Sequence, residues 1–372
     1  MRENWQQESG RRIRMEVWRI AIIGCGGIAE KHVASIAELD GEAELVGLCD
    51  LQQERVERFA NDIVRPVFPA VAAYTSVSEV LEQENIDLVV IATSSDSHGR
   101  LAMAALKAGK HVIVEKPLAL SLEEASAVTE EARERKLVAA VCFQARYLPL
   151  MEEMKSAERM GKFGKLSHGV VSMRWKRELG YYRSSPWRES RGHGGGVFMN
   201  QCIHYIDLLL WLMGPVQSVY AQAGTYGDPI GVENAGAVVL RFRSGAIGLI
   251  EASTIIAPRT LGTSISLFGE KGSAVIEGAN LDQRKVWSFY EDEAPAEDKV
   301  IANHGISHTP LYREILESIR EQKQPSVSAE QTMHALEVVL AIYSSLTAGE
   351  VVQLPMGTDS GQSVRQDQES SL

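Results

Sequence analysis

Short apolar runs alternate with amphipathic stretches through the first part of the chain. The stretches predict helices at about 28–39, 52–62, 97–108 and 122–135. Buried apolar strands that alternate with helices are typical of βαβ units, in which the strands run parallel. The pattern therefore predicts an α/β domain with a doubly wound Rossmann sheet. The predicted strands are Val17–Ile23, Glu44–Cys49, Leu88–Ala92, His111–Val114 and Val138–Cys142.

The pattern changes after about residue 143. Ala237–Phe242 and Ala246–Ser253 flank Gly245, which predicts antiparallel strands joined by a tight turn. Another strand pair is predicted beside Gly272, and a long helix is predicted at 329–348. Antiparallel strands with helices elsewhere predict a C-terminal α+β domain.

The polar ends of the chain set the predicted boundaries. Residues 1–16 are polar and lack the apolar stretch of a secretory signal, which predicts a disordered leader. A Rossmann domain is predicted at 17–142, a substrate and oligomerisation domain at 143–356, and a mobile tail at 357–372. The strands at 235–276 have too few helices to cover both faces of their sheet. An uncovered apolar face predicts a homo-oligomer.

Composition excludes several classes of function. With 38 Lys and Arg against 49 Asp and Glu, the net charge is -11, which argues against nucleic-acid binding. The sequence has no apolar run of about 18 residues, so no membrane span is predicted. The four cysteines form no C-x-x-C pair, which predicts buried free thiols and a reducing, cytoplasmic compartment. The sequence also has no metal-binding motif and predicts no metal.

A glycine-rich turn, G-x-G-x-x-A at 24–29, follows the first predicted strand. Gly24 permits the tight turn, and Gly26 lets the backbone approach a pyrophosphate at a helix N-terminus. Asp50 ends the second strand, where an acid binds a ribose 2′-hydroxyl or, alternatively, caps the next helix. A carboxylate repels a 2′-phosphate, so NAD is predicted over NADP, although Arg55 weakens that preference. The predicted contacts are Gly24, Gly26, Gly27, Ile28 and Asp50.

Three ordered motifs resemble the Gfo/Idh/MocA family of oxidoreductases. Ala92-Thr93 with His98 resembles the family's ATP-x-x-x-H segment, and residues 108–117 resemble A-G-K-H-V followed by E-K-P. Residues 194–207 are similar to G-G-G-x-x-x-D-x-G-x-H-x-x-D. The resemblance covers about residues 17–355. It implies a Rossmann domain and a C-terminal domain with a large open sheet, which members usually pack against another subunit as homodimers or homotetramers.

The third motif departs from the family pattern at one position. Asn200 stands where many relatives have Asp. The chain therefore resembles the N-Q-x-I-H branch of the family. That branch includes enzymes that act on nucleotide-linked sugars such as UDP-N-acetylglucosaminuronic acid.

Hydride transfer from an alcohol needs a base for the hydroxyl proton and a cation beside the developing alkoxide. His204 is the predicted base, since a neutral imidazole accepts a proton near neutral pH; a structural histidine is the alternative. Lys116, at the carboxyl edge of the sheet, is the predicted cation, with a solvated loop lysine as the alternative. Asn200 precedes His204 by one helical turn and can orient it or the substrate. Asp207 either orients the imidazole or is a buried helix polar group.

The resemblance implies further contacts. Gln144 and Arg146 resemble an N-x-R segment near the nicotinamide and substrate, and Trp187-Arg188 resembles a W-R pair that touches the cofactor. Glu115 either pairs with a cation or contacts the nicotinamide ribose. The further cofactor contacts are predicted to be Thr93, Ser94, His98, Glu115, Lys116, Gln144, Trp187 and Arg188. The substrate contacts are predicted to be Lys116, Arg146, Tyr147, Arg174, Asn200 and His204.

The stretch from Arg174 to Arg183 is basic and aromatic. A phosphate or carboxylate on the substrate would explain it, and an exposed strand edge defended by charge is the alternative. The sequence as a whole predicts an NAD-dependent dehydrogenase of a sugar, inositol or nucleotide-sugar derivative. A lyase or hydrolase that oxidises its substrate transiently with NAD is one alternative. A non-catalytic Rossmann-type sensor is another.

Overall fold

The computed structural model of the protein describes residues 5–8, 11–14, 17–290, 299–301 and 307–356. The predicted tail at 357–372 lies outside the described residues, as does part of the predicted leader at 1–16. Within the leader, two strands pair antiparallel, β1 (Trp5–Glu8) and β2 (Arg11–Arg14). The chain divides into two compact units. The first comprises Met1–Leu118, Ser126–Cys142 and Ser307–Glu330, and the second comprises Ala119–Ala125, Phe143–Ile306 and Gln331–Leu372.

A six-stranded parallel sheet forms the centre of the first unit. Its strand order is β5-β4-β3-β6-β7-β8, so the sheet grows outward in both directions from β3, as in a Rossmann fold. The strands are β3 (Trp18–Ile23), β4 (Ala43–Cys49), β5 (Ala72–Tyr74), β6 (Leu88–Ile91), β7 (His111–Val114) and β8 (Ala139–Val141). The connecting helices are α1 (Ala29–Ala37), α2 (Gln53–Phe59), α3 (Val77–Leu81), α4 (His98–Lys107) and α5 (Leu122–Arg135).

The predicted parallel strands are confirmed by this sheet. The side chains of β6 are fully buried, which is why the strand is apolar at every position and shows no alternation. β5 and α3 were not predicted from the sequence. β5 has only three residues, all of them half-buried, and is too short to give a pattern.

The second unit carries a nine-stranded sheet in the order β16-β15-β14-β13-β9-β12-β11-β10-β17. All its pairs are antiparallel except β9 with β12. The strands are β9 (Leu166–Arg174), β10 (Val216–Gly224), β11 (Ala235–Phe242), β12 (Ile247–Ser253), β13 (Gly262–Gly269), β14 (Gly272–Gly278), β15 (Gln283–Phe289), β16 (Lys299–Val300) and β17 (Val352–Gln353). The helices are α6 (Pro149–Arg159), α7 (Leu179–Arg183), α8 (Ile203–Met213) and, after α9 of the first unit (Thr309–Arg320), α10 (Ala329–Ala348).

Both predicted hairpins are confirmed. β11 and β12 pair antiparallel through a turn in which Gly245 has φ 89°, a left-handed conformation that favours glycine. β13 and β14 pair in the same way on either side of residues 270–271. The long helix predicted at 329–348 is α10, and Gly349, with φ 71°, ends it.

The two faces of the large sheet differ in what covers them. On one face β9 packs so closely against α8 that a Cβ on Gly169 would lie 2.3 Å from Sδ of Met213. On the other face, the strand register places a row of side chains, all apolar except Ser266, side by side across the sheet. This row, the outer row, contains Tyr220, Val239, Leu249, Val170, Ser266, Val275 and Val286. Val239 is 47% exposed and Leu249 is 41% exposed.

The sequence predicted a single division of the chain at residue 142, but the structure returns Ser307–Glu330 to the first unit. Contacts of α9 explain this grouping. The Thr309 hydroxyl donates to the carboxylate of Glu38 at 2.5 Å, and the buried Tyr312 hydroxyl lies 2.9 Å from Nδ1 of His32. These contacts join segments about 270 residues apart, which no local pattern reveals.

All four cysteines are buried free thiols, as predicted. Burial raises the pKa of Cys25 to about 12, with a further rise from the charge of Asp50. A thiol held in this way is a poor nucleophile.

Among the helices of the described residues, none is long and apolar enough to cross a membrane.

Candidate functional site

The glycine-rich loop between β3 and α1 leaves its backbone open. Gly24 has φ 100°, and a Cβ on it would lie 2.6 Å from the carbonyl oxygen of Ala92, so only glycine fits. A Cβ on Gly26 or Gly27 would meet no atom within 4 Å. Ile28 is the N-cap residue of α1. The loop therefore presents bare backbone at a helix N-terminus, which is where a pyrophosphate binds.

Asp50, at the end of β4, is tied to that loop. Its Oδ2 accepts a hydrogen bond from the Cys25 amide at 3.1 Å, and its Oδ1 accepts one from the Gln52 amide at 3.0 Å. The Arg55 guanidinium lies 3.6 Å from Oδ2. Asp50 thus caps the turn that precedes α2, and its predicted contact with a ribose is compatible with this role. A surface recess beside the loop is lined by Cys25, Gly26, Gly27, Glu30, Arg55, Arg58, Phe59, Asp62 and Ile63.

His98 connects the loops that follow β6 and β7. Its Nδ1 lies 2.7 Å from the carbonyl oxygen of Pro117, and its Nε2 lies 3.1 Å from that of Thr93. Burial lowers the pKa of His98, although both carbonyl partners oppose that shift. Lys116 is half-buried on the loop that His98 holds. The structure therefore places His98, Thr93 and Lys116 together at the carboxyl edge of the sheet, where this fold binds ligands.

Glu115, next to Lys116, points into the protein. It is 6% exposed, and its Oε1 lies 3.3 Å from Nε2 of His32 and 3.3 Å from Nε2 of His308. Burial raises the pKa of this carboxyl, but the two histidine rings lower it more, so it lies well below its usual range. Two roles were predicted for Glu115, pairing with a cation and contact with the nicotinamide ribose. The structure provides ionisable partners, the two histidines, for the first of these roles. The sequence assigned no role to either histidine, although it left His308 as a possible contact.

Three further predicted cofactor or substrate residues lie in short turns. The carbonyl oxygen of Ser94 accepts a hydrogen bond from the Ser97 hydroxyl at 2.8 Å. Gln144 and Tyr147 begin and end one 3-10 turn after β8, and both are half-buried. Their roles stay predictions.

In the second unit, the triple glycine leads into a π-helical turn. Val197–Cys202 is π-helical, and α8 follows directly. The helical turn predicted between Asn200 and His204 therefore begins in a π-helix and ends in an α-helix. Gly196 explains the start of the turn, because it has φ 101° and a Cβ on it would lie 2.3 Å from Oε1 of the buried Glu233. Single π-helical turns are common at functional sites, and this one contains Asn200 and precedes His204.

Tyr181 was not assigned a role from the sequence, but it contacts this turn. The amides of Asn200 and Gln201 each donate to the Tyr181 hydroxyl oxygen at 3.3 Å. The guanidinium groups of Arg177 and Arg188 lie 5.1 Å and 4.2 Å from the centre of its ring. With its oxygen accepting from two amides, the hydroxyl keeps its own proton to donate. The basic and aromatic stretch thus folds against the predicted catalytic turn.

Arg146 and Asp207 form a buried ion pair. Arg146 Nε donates to Oδ2 of Asp207 at 2.7 Å, and Nη2 donates to Oδ1 at 2.5 Å. Arg146 is 5% exposed and Asp207 is 1% exposed. Asp207 is thus a buried helix polar group with its own partner. His204 is half-buried and packs edge-on to Phe143, with 5.8 Å between ring centres.

The remaining predicted residues have local partners. Arg188 donates to the Tyr181 carbonyl oxygen at 2.8 Å, and Trp187 lies in the same 3-10 turn as Arg188. Arg174 pairs with Glu251 across β9 and β12, with Nη2 2.6 Å from Oε2. The alternative of an exposed strand edge is wrong at Arg174, because β9 is paired on both sides.

Comparisons with known proteins agree with this geometry. The family description "Oxidoreductase family, NAD-binding Rossmann fold" matches residues 18–143, and "GFO/IDH/MocA C-terminal domain" matches residues 151–275. The chain belongs to the Gfo/Idh/MocA oxidoreductase family. As a member, it is an NAD-dependent oxidoreductase. The open backbone at Gly26 and Gly27, with Asp50 beside it, fits this cofactor.

Among similar structures of family members is that of the WlbA dehydrogenase from Bordetella pertussis in complex with NADH and UDP-GlcNAcA. It is 31% identical, covers 92% of this chain and 100% of that one, and superimposes with a TM-score of 0.84. Myo-inositol 2-dehydrogenase of Thermotoga maritima is 27% identical over 348 residues, 90% of this chain and 98% of that enzyme. Alpha-N-acetylgalactosaminidase of Shewanella oneidensis is 32% identical over 183 residues, 47% of this chain and 40% of that enzyme.

Proposed function

We propose that this protein is a dehydrogenase that transfers a hydride between NAD and a hydroxyl carbon of a sugar derivative. The observation that carries the proposal is the setting of each of the two predicted catalytic residues in its own unit. Lys116 lies at the carboxyl edge of a Rossmann sheet, and His204 follows a π-helical turn in a family of oxidoreductases. The similarity to two dehydrogenases of cyclic hydroxyl compounds supports the substrate class.

The proposed chemistry assigns one task to each side chain. Bound NAD supplies the hydride acceptor. His204 takes the hydroxyl proton, and the Lys116 ammonium stabilises the oxygen as negative charge develops on it. Asn200 cannot ionise, so it orients the substrate or His204 through its amide, which Tyr181 holds in place.

We propose a nucleotide-linked sugar acid as the substrate within this class. WlbA was crystallised with UDP-GlcNAcA and shares 31% identity with this chain. A recess in the second unit is lined by the cations Lys176 and Arg177 and also by the carboxylates Glu178 and Asp228, so its charges balance. Within it, Arg177 and Lys176 are the side chains that favour a phosphate or a carboxylate. Both groups occur in such a substrate.

NADH formation tests the proposal directly. The protein is incubated with NAD and, in separate reactions, UDP-N-acetylglucosaminuronic acid, UDP-N-acetylglucosamine and myo-inositol. We expect the highest kcat/KM with the first compound, and the second is the matched control that lacks the carboxylate. Faster turnover of inositol would reject the nucleotide-sugar assignment but keep the dehydrogenase. No NADH from any cyclic hydroxyl compound would reject the dehydrogenase itself.

A second candidate function has a specific observation in its favour. The alpha-N-acetylgalactosaminidase of Shewanella oneidensis matches this chain over 183 residues at 32% identity, which places a hydrolase among the relatives. In a reaction with transient oxidation, NAD is regenerated in each cycle. Release of an aglycone without accumulation of NADH would favour this reading over the dehydrogenase.

We propose that the outer row of the large sheet is a homo-oligomer interface, in a protein of the cytoplasm. The row crosses seven strands, from Tyr220 on β10 to Val286 on β15, and both of these side chains are more than a third exposed. Light scattering should give at least a dimer at micromolar concentration. Replacing Leu249 with lysine should shift the mass towards the monomer, whereas replacing the exposed Leu51 of the first unit should not. A monomeric wild-type protein would contradict the proposal.

A further inference from the structure

Four metal-ligating side chains meet inside the first unit. His32 lies on α1, Glu115 follows β7, Cys142 follows β8, and His308 immediately precedes α9. One ligand atom from each lies within 4.8 Å of those of the other three. The two histidines and the cysteine are 0% exposed, and Glu115 is 6% exposed. We refer to these residues as the His-Glu-Cys-His cluster.

The polar atoms that face one another in this cluster are not satisfied by hydrogen bonds. Among the described residues, Nε2 of His32, Oε1 of Glu115 and both ring nitrogens of His308 make no well-aligned hydrogen bond, although Oε1 lies 3.3 Å from each of the two Nε2 atoms. A buried polar atom without a partner costs about 1–3 kcal/mol, and the cost is greater for a charged group. Three of these atoms, Nε2 of His32, Oε1 of Glu115 and Nε2 of His308, face one another, and such a convergence indicates that something else binds there.

Two of the ligand–ligand distances in the cluster match those of a tetrahedral metal site. Zinc binds imidazole nitrogen and carboxylate oxygen at about 2.0–2.2 Å, so neighbouring N and O ligands of a tetrahedron lie roughly 3.3–3.5 Å apart. Both nitrogen–oxygen distances to Glu115 in the cluster are 3.3 Å. His32 also has the outer contact that is typical of a metal ligand, because its Nδ1 lies 2.9 Å from the Tyr312 hydroxyl.

We propose that the His-Glu-Cys-His cluster binds one divalent transition-metal ion of the zinc type. Two imidazoles, a carboxylate and a thiolate are a donor set that suits zinc. The charges balance, because a carboxylate and a thiolate neutralise a divalent cation inside the protein. The Cys142 thiol loses its proton as the metal binds.

The site is structural rather than catalytic. All four positions are filled by protein, with no place for water or substrate, and closed sites of this kind stabilise folds. The metal joins α1, the ends of β7 and β8, and the start of α9, and so fixes the return of residues 307–330 to the first unit. The sequence predicted no metal, because these ligands lie far apart along the chain and form no motif.

Metal analysis of the whole protein tests the proposal. The protein is expressed in zinc-supplemented medium and purified without metal-affinity steps, then dialysed against a chelator. Elemental analysis should give about one zinc per chain, because a fully buried ion exchanges only when the unit opens. Protein expressed with cobalt should show the charge-transfer band of a thiolate-bound cobalt ion and the intense visible bands of tetrahedral cobalt.

Matched variants assign the ion to the cluster. Cys142→Ser should abolish the cobalt–thiolate band, whereas Cys49→Ser, which removes a buried thiol of the same unit, should keep it. His308→Gln should lose the metal, whereas His111→Gln should retain it. Tyr312→Phe, which leaves all four ligands in place, should weaken binding by about 10–100-fold.

Two results would overturn the proposal. One is wild-type protein that binds NAD yet contains no stoichiometric metal and shows no cobalt band after metal-supplemented expression. The other is metal that persists in both Cys142→Ser and His308→Gln, which would place the ion elsewhere. Because the wild-type measurements need no variant, the proposal stays testable if a ligand variant fails to fold.

Discussion

The two units hold their functional groups by different means. In the first unit the nucleotide-facing surface is mainly backbone, shaped by Gly24 and tied down by Asp50. In the second unit the candidate catalytic turn is held by side chains, among them Tyr181 on two amides and Glu233 against Gly196. Cofactor binding should therefore depend mainly on the first unit, although Gln144, Trp187 and Arg188 of the second unit are also predicted contacts, and turnover should depend on both units.

The largest expected effect separates these two roles. His204→Ala should lower kcat by about 10²–10⁴-fold, the scale of losing a general base. NAD affinity should stay within the error of the titration, since the cofactor residues of the first unit are untouched. Steady-state kinetics and calorimetry measure the two quantities.

Lys116 provides the cross-check from the first unit. Lys116→Ala should cost about 10²–10³-fold in turnover, and the double variant should lose much less than the product of the single losses because both groups act on one proton transfer. A His204→Ala enzyme with near-normal turnover and an unchanged pH profile would show that His204 is structural.

The Arg19–Asp87 pair of the first unit and the Arg146–Asp207 pair of the second are each joined by two side-chain hydrogen bonds, but the two pairs differ in burial. The side chains of Arg146 and Asp207 are 6% and 2% exposed, whereas those of Arg19 and Asp87 are 41% and 25% exposed. Arg146→Met leaves a buried carboxylate unpaired and should destabilise the protein by about 3–5 kcal/mol. Arg19→Met should cost only about 0.2–1 kcal/mol. Denaturant unfolding measures both free energies. Equal losses in the two variants would contradict the comparison.

The choice between NAD and NADP tests the first unit, and the expected effect is smaller than those of the variants above. Asp50→Asn removes the charge that favours NAD, and the gap between NAD and NADP affinities should narrow by about 10-fold or more, the scale of a hydrogen bond to a charged group. Arg55→Ala is the control and should leave or widen that gap. Equal affinities of the wild-type protein for both cofactors would remove the ribose role from Asp50.

The smallest effect is the pH dependence of the exposed pair. Burial raises the pKa of Asp87, but hydrogen bonds and charge from Arg19 lower it more, so the net pKa is below the usual value. A lowered pKa gives stability that is present above the unfolded pKa of about 3.9 and is lost as the pH falls. The stability difference between wild type and Arg19→Met should therefore shrink below about pH 4. A constant difference would indicate a packing effect.

Elements and motifs with local signals were predictable from the sequence. The glycine loop, the hairpin at Gly245 and the parallel strands each have residues adjacent in the chain that dictate them. The π-helical turn was not predictable, because it depends on the close approach of Gly196 to Glu233, which lies 37 residues further along the chain. The return of α9 and the His-Glu-Cys-His cluster also depend on contacts between distant segments, which periodicity does not encode.

Transfer of deuterium tests the central claim most directly. A sugar derivative that carries deuterium on the carbon to be oxidised is turned over with NAD, and the NADH is analysed by mass spectrometry. A hydride-transferring dehydrogenase should give one deuterium in each NADH, in a one-to-one ratio with the carbonyl product. Product that forms without net NADH, or NADH without deuterium, would contradict the account.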